Sequence, residues 1–186
     1  SGIGEAFAKK LASEKANLAI TARSEEKLKS LAGDLQRAHS IQVHVYPMDL
    51  SQPGAAKTLY EKIKESDLSV DVLINNAGLA KGSKFLDTKM EFYKSMITLN
   101  VNSLVELSYL FLPEMLQKDG GGIINVSSTV AFLPWPFSTI YSATKWFVMS
   151  FSEGLYGEYH DTGVTIMALC PGATATNFFS VAHPKD

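Results

Sequence analysis

Apolar residues recur along the chain in two patterns, one typical of strands and the other of amphipathic helices. The segment 41–47, IQVHVYP, alternates between apolar and other residues and predicts a strand, whereas 24–38 repeats leucine every three or four residues and predicts a helix. The same patterns predict further strands at 17–22, 70–76, 121–128 and 163–170, and further helices at 5–14, 53–66, 88–117 (with a break near Asn100) and 139–159.

Strands and helices therefore alternate along the whole chain. This order favours βαβ units, in which a parallel sheet carries helices on both faces. The run VDVLINN at 70–76 is almost continuously apolar, as expected for a strand buried on both sides. We predict one α/β domain over 1–186, a Rossmann-like doubly wound parallel sheet in three layers.

The first residues suggest a phosphate site. Gly2, Ile3 and Gly4 lead into a helix, and glycines at a helix N-terminus let a phosphate approach free N–H groups. A tight turn without a ligand would have the same sequence. At the end of the next strand, Ala22 stands where an acid would bind a ribose hydroxyl, and Arg23 follows it. A guanidinium can clamp a 2′-phosphate, so NADP is favoured over NAD.

Tyr141 and Lys145 are four residues apart and share a helix face. A nearby ammonium stabilises a phenolate and is expected to lower the pKa of the tyrosine, which could then exchange a proton with a substrate oxygen. Ser128 ends a strand at the edge where ligands bind in open parallel sheets, and its hydroxyl could contact the same oxygen or cap the next loop.

These motifs together resemble the short-chain dehydrogenase/reductase family, nearest to its ketone-reducing, hydroxysteroid-dehydrogenase-like and 3-oxoacyl-reductase-like members. The similarity extends over essentially the whole chain, in the family's order and spacing. The residues that carry it are Gly2-Ile3-Gly4, Asp49, Asn75-Asn76-Ala77-Gly78, Asn100, Ser128, Tyr141, Lys145, Pro171-Gly172 and Thr176.

The resemblance implies a role for each catalytic residue. Tyr141 would be the acid/base, Lys145 would lower its pKa and bind the nicotinamide ribose, and Ser128 would position the substrate oxygen. Asn100, at the break in its helix, would hold a water that relays protons to Lys145. The implied cofactor-binding residues are Gly2, Ile3, Gly4, Arg23, Asp49, Asn76, Ala77, Gly78, Tyr141, Lys145, Pro171, Gly172, Thr174 and Thr176.

The family also implies sequence on both sides of this chain. Its sheet order is 3-2-1-4-5-6-7, and the strand before the glycine motif and the last strand are missing here. We therefore expect a fragment of a longer protein, with either a gap or a rearrangement between strands 17–22 and 70–76. Two strands on either side of a missing one would lie about 9.6 Å apart, twice the usual spacing.

The composition of the chain argues against nucleic-acid, membrane and metal binding. The net charge of −2 gives no basic surface for nucleic acid, and no apolar run reaches the roughly 18 residues that span a bilayer. The four histidines are scattered, so no metal site is expected, and the single cysteine fits a reducing, cytoplasmic location.

The loop TVAFLPWPFST at 129–139 is aromatic and indicates an apolar carbonyl or alcohol substrate, unless it packs on a neighbouring element. The leading hypothesis is an NADP-dependent ketone reductase or alcohol dehydrogenase. The alternatives are an epimerase or dehydratase that uses the same tyrosine and lysine, and a non-catalytic NADP-binding protein. Broad apolar surfaces on helices 88–117 and 139–159 suggest a homodimer or homotetramer.

Overall fold

The computed structural model describes residues 2–174, and the elements in this range follow the predicted order. The strands are β1 (Leu18–Ala22), β2 (Val43–Pro47), β3 (Val72–Asn75), β4 (Gly121–Val126) and β5 (Val164–Leu169). The helices are α1 (Gly2–Ser13), α2 (Glu25–His39), α3 (Ala55–Glu65), α4 (Met90–Ile97), α5 (Ser103–Gln117) and α6 (Thr139–Tyr159), with a π-helix at Thr98–Asn102 and 3₁₀ turns at Phe85–Asp87 and Thr129–Phe132.

Helix boundaries follow local capping chemistry. The hydroxyl of Ser24 accepts a hydrogen bond from the N–H of Lys27, as a helix N-cap should. Two predicted starts were wrong. Helix α1 begins at Gly2 rather than at residue 5, and α3 begins after Gly54, whose φ of +75° reverses the chain, so Pro53 precedes the helix.

The strands form two parallel sheets, β1–β2 and β3–β4–β5. Among the described residues, β1 and β3 are not hydrogen-bonded to each other, so the sheet is divided where the family's strand order places its centre. This is the gap predicted between strands 17–22 and 70–76. Helix α3 joins the two halves, because the core that it forms with α5 on β4 and β5 also takes in Tyr46 and Met48 at the end of β2.

A buried polar ladder fixes the register of the three-stranded sheet. Asn75 and Asn125 are partners on β3 and β4, and the amide of Asn75 donates to the amide oxygen of Asn125 at 2.9 Å. Asn75 also reaches Ser108 on α5, and Asn125 donates to Ser152 on α6. Two helices are thereby pinned to the strands whose carboxyl ends form the site described below.

The predicted helix break near Asn100 is the π-helix. Helices α4 and α5 continue through it, and Met90–Gln117 is long and apolar enough, by length and composition, to cross a membrane. Helices of a soluble core pass the same test, and 44% of its most apolar window is buried inside the protein. The packing of α5 on the sheet accounts for much of this apolar surface.

Candidate active site

A hydrogen bond joins the side chains of Ser128 and Tyr141. Ser128 lies two residues after β4, is 9% exposed, and also receives a long 3.4 Å contact from the N–H of Val130. It thus caps the following 3₁₀ turn and contacts the phenol as well. Two hydroxyl groups that could reach one substrate oxygen are therefore adjacent, as the sequence predicted.

Lys145 is buried directly behind Tyr141. Only 5% of this lysine is exposed, and its Nζ lies 5.9 Å from the centre of the Tyr141 ring. The ammonium donates a 2.8 Å hydrogen bond to the carbonyl of Val126, the last residue of β4. The side chains at 128, 141 and 145 therefore lie together at the carboxyl edge of the sheet.

The pKa of Tyr141 differs from the prediction. Burial raises it above its ordinary value of 10, and the hydrogen bond from Ser128 offsets this only in part. The predicted net lowering was wrong, because burial raises the pKa of Tyr141 by more than the nearby groups that favour the phenolate lower it. Burial also lowers the pKa of Lys145 from 10.5 to about 8, against a smaller opposing effect of Cys170.

The side chain of Asn100 clamps two elements of the site together. Its amide exchanges two hydrogen bonds with the backbone of Leu79 and donates a third, at 3.0 Å, to the hydroxyl of Thr144. A Cβ on Gly78 would lie 3.3 Å from Asn100 Oδ1 and 3.5 Å from Lys145 Nζ, so the loop after β3 approaches closely. Asn100 thus lies against α6, while the proton-relay water stays a prediction.

Glycines at the start of α1 let this helix approach the loop after β3 closely. Gly2 has φ of +65°, and a Cβ on Gly4 would come within 2.6 Å of the Asn76 amide. A larger residue at position 4 would therefore displace Asn76. Ile3 is half-buried beside these glycines, and Ala77, which follows Asn76, is exposed. The N-terminal turn of α1, whose free N–H groups could hold a phosphate, thus faces the loop after β3.

Arg23 and Asp49 meet at the carboxyl ends of β1 and β2. Ser51 holds the carboxylate of Asp49 through its hydroxyl at 2.7 Å and its N–H at 3.0 Å. These bonds are the largest influence lowering the pKa of Asp49, and the charge of Arg23 adds to it. Asp49 therefore stays ionised beside an exposed guanidinium, at the edge assigned to the adenosine half.

The loop after β5 closes the site on the side opposite to β3. The carbonyl of Pro171 accepts a 3.1 Å hydrogen bond from the N–H of Thr129, next to Ser128. Gly172 and Thr174 are exposed, and the hydroxyl of Thr174 donates to the carbonyl of Gly172. Thr176, also predicted to bind cofactor, lies outside the described residues.

Comparison with known proteins decides the family. The family model described as short chain dehydrogenase matches residues 1–186. The chain belongs to the short-chain dehydrogenase family. It is similar to the very-long-chain 3-oxoacyl-CoA reductase of Anas platyrhynchos, with 33% identity over 99% of this chain and 60% of the relative. It is also similar to human 17-beta-hydroxysteroid dehydrogenase type 3, with 35% identity over 94% of this chain and 56% of the relative.

A solved structure extends the agreement to three dimensions. A short-chain dehydrogenase from Sphingobium yanoikuyae in complex with NADPH matches with a TM-score of 0.93 and 34% identity, over 98% of this chain and 71% of that one. The fold is thus that of a short-chain dehydrogenase. This chain spans about 60% of the length of the first curated relative.

Sequence reasoning assigned no role to two groups that support the site of this short-chain dehydrogenase. Thr144 receives the bond from Asn100 and donates to the carbonyl of Tyr141 at 2.8 Å. The Asn75–Asn125 pair lies beneath the site. Polar residues inside otherwise apolar runs are the signal that could have found the Asn75–Asn125 pair, because buried polar groups are almost always bonded.

Proposed function

We propose that the protein is an NADP-dependent oxidoreductase that reduces the carbonyl of an apolar ketone to a secondary alcohol. The proposal rests on the Ser128–Tyr141 hydrogen bond with Lys145 buried behind it. When bound, reduced nicotinamide supplies the hydride for such a reaction. The residues of the chain place the carbonyl and supply the proton.

Tyr141 acts as the general acid. Since burial raises the pKa of its phenol, the hydroxyl is protonated at neutral pH and can give its proton to the carbonyl oxygen as hydride reaches the carbonyl carbon. Ser128 orients the same oxygen from the strand side. The ammonium of Lys145 stabilises the phenolate left on Tyr141. This protonation state favours reduction at neutral pH over oxidation.

The loop before α6 is the basis for the proposed substrate class. Phe132, Leu133, Trp135 and Phe137 lie in the loop before α6 and are between 52% and 65% exposed. They do not pack into the described core, and the 2.7 Å bond from the N–H of Ser83 to the carbonyl of Phe137 ties this loop to the loop after β3. An apolar wall of this kind suits a fatty, aromatic or steroid-like ketone, and the two curated relatives have acyl and steroid names.

The whole protein is also proposed to self-associate. Exposed aromatic residues line the outer faces of α5 and α6, including Tyr109, Trp146 and Tyr156. Faces of this composition favour burial against a second copy. Light scattering of the full-length protein tests this proposal, and a monomer at micromolar concentration would contradict it.

The direct test of function is NADPH oxidation. The full-length protein should consume NADPH, followed by its absorbance, only when a ketone is present, and aromatic or long-chain ketones should give the highest kcat/KM. Equal kcat/KM for small polar ketones would contradict the apolar substrate. No turnover with any ketone, while NADPH binds, would favour a non-catalytic NADP-binding protein.

Cofactor preference should depend on Arg23. Changing Arg23 to Gln is expected to lower the affinity for NADPH about 10- to 100-fold, because a charge-assisted phosphate contact worth about 1.5–3 kcal/mol is lost. NADH affinity should be unchanged, since NADH lacks the 2′-phosphate. The matched control is Arg37→Gln, which removes the same charge from the exposed end of α2. An unaltered NADPH to NADH ratio for Arg23→Gln, measured by fluorescence titration, would refute the assignment.

Reduction should weaken at alkaline pH. The pKa of Lys145 is about 8, so its ammonium is charged below that pH and is lost above it. The phenolate formed at Tyr141 then loses its stabilising charge, and kcat for reduction should fall as pH rises through about 8. Circular dichroism over the same pH range separates this effect from unfolding. A rate that stays level to pH 10 with the fold intact would contradict the role of Lys145.

A further inference from the structure

Residues at the end of β4 form hydrogen bonds with both the side chain and the backbone of Lys145. The carbonyl of Val126 accepts from the ammonium at 2.8 Å, and the hydroxyl of the next residue, Ser127, donates to the backbone carbonyl of Lys145 at 2.6 Å. Ser127 is 2% exposed and Lys145 is 5% exposed, so both contacts are shielded from water. The last residue of β4 thus binds the side chain of Lys145, and the residue after it binds the main chain of the same lysine.

The contact made by Ser127 is not needed to satisfy the helix. The carbonyl of Lys145 lies well inside α6, where an interior carbonyl accepts from the N–H four residues later. The hydroxyl of Ser127 therefore adds a second bond to a group that the helix already satisfies. Its effect is to fix where α6 lies along the strand.

Ser127 is itself held rigidly. Its N–H donates at 2.7 Å to the carbonyl of Leu169 at the end of β5, so the residue continues the β4–β5 ladder. The backbone of Ser127 is thus fixed to the sheet, and its hydroxyl is held in place beside α6. Any sliding of α6 would have to break the bond at Ser127 before it moved Lys145.

We propose that Ser127 is a positioning residue, which holds α6 in register with β4 so that the ammonium of Lys145 lies between the carbonyl of Val126 and the ring of Tyr141. The proposal rests on the proposed reductase function, because Lys145 and Tyr141 act there as a pair. Positioning of this kind has large kinetic effects, since a misplacement of about 1 Å can cost about 100-fold in rate.

The protonation of Lys145 reports on this positioning. Two titratable groups face the ammonium, Tyr141 on its own helix and Cys170 after β5, and burial is the main influence that lowers the pKa of Lys145. If α6 is released from Ser127, water reaches the amine more easily. The pKa of Lys145 should then rise toward its ordinary value.

The test compares Ser127→Ala with Ser103→Ala in the full-length protein. Ser103 is a matched control, because it is 5% exposed and its hydroxyl donates to the backbone carbonyl of Leu50 at 2.6 Å, from a helix that does not carry Tyr141 and Lys145. Ser127→Ala is expected to lower kcat about 10- to 100-fold while KM for ketone changes less than about threefold. The alkaline limb of its pH profile should move up by about one pH unit. Ser103→Ala should keep the wild-type pH profile.

A second readout does not depend on turnover. In protein labelled with ¹³C at the ε carbon of lysine, the Lys145 resonance reports the pKa of its amine without cofactor or substrate. Ser127→Ala and Ser127→Cys should raise that pKa, whereas Ser127→Thr, which keeps the hydroxyl, should leave it at the wild-type value. The cysteine variant has the shape of serine with a weaker hydrogen-bond donor, and it serves if the alanine variant does not fold.

Identical Lys145 titrations in wild type, Ser127→Ala and Ser127→Cys would overturn the positioning role. That result would leave the proposed function intact. Full activity of Tyr141→Phe would instead overturn the proposed function, whatever the behaviour of Ser127.

Discussion

Replacing Tyr141 with phenylalanine is expected to lower kcat for ketone reduction about 10²- to 10⁴-fold, the usual contribution of a positioned general acid. The ring keeps its packing and only the hydroxyl is lost. The phenol next to Ser128 is the group that we propose to supply the proton, so its loss removes the general acid. NADPH affinity should change little, so the loss should appear in kcat rather than in cofactor binding.

The matched control is Tyr156→Phe. Tyr156 lies on the same helix, is 54% exposed, and would lose the same hydroxyl. This variant should reduce ketones at the wild-type rate. Equal rates for Tyr141→Phe and wild type would show that the proton comes from elsewhere, and the acid/base assignment would be wrong.

Replacing Lys145 with methionine is expected to abolish most turnover and, at neutral pH, to stabilise the protein without cofactor. Burial lowers the pKa of this lysine from 10.5 to about 8, so the folded state holds a charge at pH 7 at a cost of about 3 kcal/mol. Methionine removes this cost and forfeits one charge-assisted hydrogen bond to Val126, worth about 1.5–3 kcal/mol. The free energy of unfolding at pH 7 should therefore rise by up to about 1.5 kcal/mol.

The stabilisation by methionine should depend on pH. Between pH 8 and 10.5 the unfolded lysine holds a proton that the folded lysine has released, so wild-type stability rises with pH across this window. The advantage of the methionine variant should shrink over the same range and be largely gone by pH 10. Denaturant unfolding at pH 7 and pH 10 measures both values.

The control for stability is Lys29→Met, at an exposed position paired with Glu25 on α2. A surface change of this kind should alter the free energy of unfolding by less than about 0.5 kcal/mol at either pH. If Lys145→Met destabilises the protein at pH 7, the amine is less desolvated in the fold than its surroundings indicate.

Local pattern was enough to predict most of the fold. Strict alternation at 41–47 and leucine spacing at 24–38 placed β2 and α2 to within about two residues, as is usual for element ends. The break near Asn100 became the π-helix at Thr98–Asn102. The start of α1 could not be placed, because glycine has no preference that marks the first helical residue. The helix predicted from residue 53 begins instead at Ala55, after Gly54.

The placement of Tyr141 beside Lys145 was predictable from the sequence, and the pKa of Tyr141 was not. A spacing of four residues brings Tyr141 and Lys145 onto one helix face, whatever surrounds them. The pKa of Tyr141 depends instead on how much water the fold excludes, and here burial outweighs the hydrogen bond from Ser128. The hydrogen bond from Ser127 could not be predicted either. Its partner is a backbone carbonyl 18 residues away, and no side-chain pattern in the sequence reveals such a contact.

A crystal structure of the full-length protein with NADP and a bound ketone tests the central claim most directly. The account predicts that the carbonyl oxygen lies about 2.6–3.2 Å from both the phenol of Tyr141 and the hydroxyl of Ser128. The carbonyl carbon should lie about 3–3.5 Å from C4 of the nicotinamide. A ketone whose oxygen is bound by other groups, with Tyr141 out of reach, would contradict it.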